Sequence, residues 1–120
     1  MSRALIEAPV SDAVRAAVAS GHAAYQRAIE AHPQATDEWD KAAIDAVILA
    51  FARQGRPFSA NDIRPHLPAG VRIKFISHRF RVAQRGPDAF LRYGGVTPST
   101  LASTRSARVN VYIPIPGALR

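Results

Sequence analysis

A chain of 120 residues with 48% apolar and 21% charged side chains has the makeup of one folded domain rather than of a disordered segment. It has no cysteine, which excludes disulfides and thiolate metal sites, and no apolar run approaches the roughly 20 residues of a membrane helix. The net charge of +7 is unevenly placed: residues 1–62 carry six basic and eight acidic side chains, residues 63–120 ten basic and one acidic.

Residues 1–10 show no period and read as a loose arm without the order of a secretory signal, so a cytoplasmic protein is expected. Ser11 is a good N-cap, and Val14, Val18, Tyr25 and Ile29 mark an amphipathic helix that Pro33 ends after His32. Gly21 lies inside it as a weak point. The helix is rich in Ala and thin in large apolar residues; it either docks on its own domain, the favoured reading, or forms a homodimer through residues 11–32.

Residues 34–37 read as a linker, with Thr36 or Asp37 capping a second helix over residues 39–54. Trp39, Ala43, Ala46, Val47 and Ala50 share one face, widened by Ile44, Ile48 and Phe51, as in a helix central to a core. Gly55 and Pro57 close it. Ser59 with Asp62 forms a capping-box pattern, with Phe58 and Ile63 as a staple, and Pro65 keeps the third helix brief, ending near Leu67. Pro68, Ala69 and Gly70 make a turn.

Residues 71–85 read as one basic helix. Ile73, Ile76, Phe80 and Ala83 form a stripe for a core, while Lys74, His78, Arg81 and Arg85 form another stripe more than a quarter-turn away. Arg72 and Arg79 flank them, and the segment contains no acid, although solvated helix faces ordinarily mix both signs. That pattern suits a helix laid against a polyanion; a plain solvated basic face is the competing reading. Gly86 and Pro87 stop the helix. Residues 90–97 and 108–113 then read as a β-hairpin with a long mobile tip over residues 98–107 that carries Arg105. In the return strand Val109, Val111 and Ile113 take one face and Arg108, Asn110 and Tyr112 the other, and residues 114–120 form an extended tail.

This order of elements across residues 39–113 resembles the winged helix-turn-helix family. The resemblance implies an α+β fold: a three-helix core plus a β-hairpin wing, preceded by an extra N-terminal helix. Residues 59–67 would be the positioning helix, 71–85 the recognition helix and 90–113 the wing, with the recognition helix in the major groove of double-stranded DNA. Around Asp37-Glu38-Trp39, Gly55-Arg56-Pro57-Phe58-Ser59 and Gly95-Val96-Thr97-Pro98-Ser99-Thr100 the chain is similar to small winged-helix proteins of actinobacteria and their phages. In those relatives an Arg follows the Ser-Thr pair, where this chain has Leu101, so wing contact at that position is not carried over.

The expected organisation is an arm and helix over residues 1–36, a winged helix-turn-helix domain over 37–113 and a tail over 114–120. The expected DNA-contacting set is Arg72, Lys74, Ser77, His78, Arg79, Arg81, Arg85, Arg92, Arg105 and Arg108. His22, His32, His66 and His78 have no metal-site spacing, and no phosphate loop, nucleophile elbow or carboxylate pair is present, so no metal, cofactor or catalytic residue is expected. An acidic protein surface is the alternative partner, RNA a weaker third for want of an aromatic cluster suited to stacking, and no membrane is expected.

Overall fold

The structure, a computed structural model, describes residues 10–98 and 108–119. The arm expected over residues 1–10 lies almost wholly outside the described residues, as does most of the expected hairpin tip with Arg105. The remainder is an α+β fold of four helices and a three-stranded antiparallel sheet. No described helix is long and apolar enough to cross a membrane.

Helix α1 (Asp12–Ala31) begins as its sequence requires: the Ser11 hydroxyl accepts a hydrogen bond from the Val14 amide at 3.2 Å. Val14 and Tyr25 are buried and Val18 packs on the same core, so the apolar face of α1 is covered within the chain. The chain then turns through a short 3-10 segment, Pro33–Ala35, where a linker was expected, directly into α2 (Thr36–Ala52). Thr36 is therefore the first helical residue and not a cap. Gly21 faces α2 at a distance that leaves room for a methyl: a Cβ built there would lie 3.8 Å from that of Ala46, an ordinary contact. Gly21→Ala should accordingly stabilise the protein by about 0.5–1 kcal/mol through helix propensity alone, seen as a raised Tm. A lowered Tm would show that α1 and α2 sit closer than this.

The core is built on α2, which buries Ala43, Ile44, Val47, Ile48, Ala50, Phe51 and Ala52; Ala46, expected on that face, is exposed, and Trp39 is half-buried with its indole N–H donating to the His32 carbonyl at 3.3 Å. Gly55 takes φ +74 beyond the helix end, a conformation that L side chains rarely adopt. Strand β1 (Phe58–Ser59) then leads into α3 (Ala60–Ile63), where the Ser59 amide donates to the Asp62 carboxylate at 2.7 Å to close the capping box. Pro65 falls in a 3-10 turn, Arg64–His66, after which Leu67 is extended.

The basic segment is shorter and less regular than its periodicity suggested. A 3-10 turn, Ile73–Phe75, precedes α4 (Ile76–Ala83), and Ile73 is 56% exposed instead of entering the core. The first residues after Gly70 are extended at Arg72, so the stripe expected from Ile73 onward begins one turn later, at Ile76. Ile76, Phe80 and Ala83 are buried as expected.

Strands β2 (Leu91–Pro98) and β3 (Arg108–Pro114) form the hairpin, and β3 also pairs with β1, giving the order β1-β3-β2. Phe58 lies opposite Tyr112 and Ser59 opposite Val111. The face of β3 that packs inward is the one bearing Tyr112, whose ring stacks on Phe80 with centroids 4.1 Å apart and planes 9° from parallel. Phe58 stands 5.9 Å from Phe80 and 5.8 Å from Phe51, so rings from α2, β1, α4 and β3 run through the core in sequence. On the opposite face Ile113 covers Gly94: a Cβ at Gly94 would fall 2.6 Å from the Ile113 Cδ1, at the irregularity where β2 shifts register between Tyr93 and Val96. Beyond β3 the segment expected to be an extended tail turns back instead, with the Ile115 amide donating to the Phe90 carbonyl and Leu119 packing against the core.

Candidate nucleic-acid interface

The basic segment leading into and through α4 is held by its apolar side and by ion pairs from Arg72 and Arg79, which leaves one side free. Lys74, Ser77, His78, Arg81 and Arg85 are all exposed, and Val82 lies exposed among them, one turn on from His78. None of these cations is ion-paired among the described residues. His78 and Arg81 stand on α4, Lys74 in the 3-10 turn before it and Arg85 just past its end, in a segment without an acid.

Arg72 and Arg79 differ from the rest of the expected set. Arg79 Nε and NH2 donate to the two carboxylate oxygens of Asp45 on α2 at 2.7 and 2.6 Å, a side-on bidentate pair that raises the Arg79 pKa. Arg72 donates through its backbone amide at 3.2 Å and its Nε at 2.7 Å to Asp40, also reaches Thr36 at 3.4 Å, and pairs with Asp37. Both guanidiniums are thus matched by carboxylates of α2, Arg79 largely covered and Arg72 still 41% exposed.

Asp40 is the centre of a network that the sequence did not announce. Its side chain is 1% exposed, and it accepts from the Tyr25 hydroxyl of α1 at 2.7 Å as well as from Arg72. Burial pushes the carboxyl pKa up, but the hydrogen bonds from Tyr25 and Arg72 outweigh it and hold the group below the ordinary carboxylate range. Burial, then the hydrogen bond to Asp40, pushes the Tyr25 phenol up to about 12. One carboxylate therefore ties α1, α2 and the approach to α4 together.

A second unannounced neighbour is Lys41 of α2. Its ammonium lies 5.3 Å from the centroid of the Phe75 ring, with Arg72 at 5.4 Å and Lys74 at 5.1 Å from the same ring. Lys41 is part-screened by Glu38 at 3.7 Å. It faces an aromatic residue that the helical stripes had not singled out, so no single-segment pattern could have placed it there.

On the hairpin, Arg92 is exposed on β2 beside Tyr93 and near Val96, which are themselves 52% and 49% exposed. Arg108 enters through its backbone at the start of β3, and Arg105 lies outside the described residues. Among the described residues no group of three His, Cys, Asp or Glu side chains could hold a metal ion. No family model matches the chain, and no characterised protein or solved structure does.

Proposed function

We propose that the chain is a winged helix-turn-helix protein that binds double-stranded DNA, with α3 as positioning helix, α4 as recognition helix and β2 with β3 as wing. The observation that carries this reading is an exposed, acid-free set of basic side chains in and beside a helix whose other side is core: His78 and Arg81 on α4, Lys74 in the turn before it and Arg85 just past its end. A helix so mounted can enter a major groove with its cations toward base edges and phosphates. Arg92, with Arg108 and Arg105, would meet the backbone beside it, while Ser77 offers a hydroxyl between the cations. Arg72 and Arg79, which already pair with carboxylates of α2, would stand outside the contact set in this reading. A regulatory role, in transcription or in a phage or mobile-element process, follows from the resemblance of the sequence to such domains.

If about five of these cations meet phosphates, affinity for random duplex DNA should fall with salt at a log-log slope of about −4 to −5. A titration at several salt concentrations measures it. No binding at low salt, or a flat slope, would favour the acidic protein surface as partner instead.

A further inference from the structure

Arg72 and Arg79 both turn back to carboxylates of α2, and the pair that Arg79 makes with Asp45 has the more constraining geometry. Two parallel hydrogen bonds of 2.7 and 2.6 Å fix the guanidinium plane of Arg79, whose side chain is only 18% exposed, while Asp45 retains 44% of its own exposure. Arg79 lies on the flank of α4 between the buried Phe80 stripe and the outward row, next in sequence to His78 and one turn before Val82. Turning α4 about its axis would bring Arg79 outward and carry Arg81 away from its present direction, with Arg85 just past the helix end drawn after it. The core contacts resist that turn from one side, and Asp45 resists it from the other.

Resting on the DNA-binding reading above, we propose that Asp45 is a positioning residue: it holds Arg79 out of the set of phosphate-contacting cations and so fixes the direction in which α4 presents Arg81 and Arg85. Sequence preference then depends on an acidic side chain that never touches DNA. Two effects of removing it have opposite signs. Loss of the carboxylate frees one cation, which strengthens binding to any duplex; loss of the anchor lets α4 turn, which weakens the distinction between one duplex and another.

The test uses the full chain, a preferred duplex selected from a random library, and random duplex as competitor. In the wild type, Arg79→Ala should leave the salt slope unchanged, whereas Arg81→Ala should make it shallower or lower the preference for the selected duplex. Asp45→Asn, which keeps the shape and removes the charge, should steepen the random-duplex slope by about 0.9, one further phosphate contact. Its ratio of selected to random affinity should fall about tenfold. The exchanged pair Asp45→Arg with Arg79→Asp restores the bridge and the net charge, and should recover both the slope and most of the ratio. Because a salt slope does not depend on the fraction of active protein, partial unfolding of a variant does not imitate these results. A shallower slope in Arg79→Ala, an unchanged ratio in Asp45→Asn, or a library that yields no preferred duplex overturns the positioning role while leaving DNA binding intact. A wild type that binds no duplex overturns both.

Discussion

Asp40→Ala should lower the free energy of unfolding by about 1–3 kcal/mol, measured as a fall in the urea midpoint, because it removes the buried acceptor on which Tyr25 and Arg72 converge. The loss has two sources. Tyr25 is left with a buried hydroxyl whose acceptor has gone, and Arg72 loses the carboxylate that its amide and Nε both address. The same network sets a pH dependence with a definite sign. The Asp40 carboxyl is held below its unfolded value, so its contribution is present above the ordinary carboxylate range and is lost as pH falls through the lowered folded value. The Tyr25 phenol is raised from 10.0 to about 12, so its contribution is intact below pH 10 and disappears as pH rises through about 12. In Asp40→Ala the acid dependence attributable to this group should vanish. A midpoint that barely moves would mean that water replaces the carboxylate at little cost.

Phe80→Ala should cost about 3–5 kcal/mol, and Arg81→Ala, one residue away, should stay within about 0.5 kcal/mol. Phe80 is 1% exposed and meets both Phe58 and the stacked ring of Tyr112, so its removal opens a cavity where α4 meets the sheet. Arg81 points to solvent without an ion-pair partner among the described residues. Thermal melts compare the two variants directly, and the reverse order would mean that α4 turns its Arg81 side, not its Phe80 side, to the core.

The helices were readable because their signals are local. Ser11, the Ser59 and Asp62 pair, Gly55 and Gly86 act within a turn of the chain they delimit, and the period of α2 spans several turns. What escaped was carried by partners distant in sequence. Strand β1 has two residues, too few for any alternation, and the extended Ser59 that caps α3 looks the same whether or not β3 lies alongside. Alternation in β3 divides its residues into two faces but does not say which turns inward, and the aromatic body of Tyr112 outweighed the valines opposite. Of the candidate interface, the exposure of Lys74, His78, Arg81 and Arg85 was legible from spacing. The pairing of Arg72 and Arg79 with Asp40 and Asp45 was not, since an acid-free segment reads as uniformly basic when its counter-charges sit on another helix. The carboxylates Asp37, Asp40 and Asp45 of α2 are the signal that could have pointed there, but spacing along one helix does not say which cations of another they meet.

The placement of β3 between β1 and β2 also bears on how the chain is made. Phe58 and Phe80 both finish their surroundings against Tyr112, which follows α3, α4 and β2 in the chain. As residues emerge in order from the ribosome, the helices can form and α1 can settle on α2 before Tyr112 exists, but the aromatic centre stays uncovered until it arrives. The interval between the emergence of Phe80 and that of β3 is thus when the nascent domain offers apolar surface to other chains, and when a holding chaperone would have something to grip.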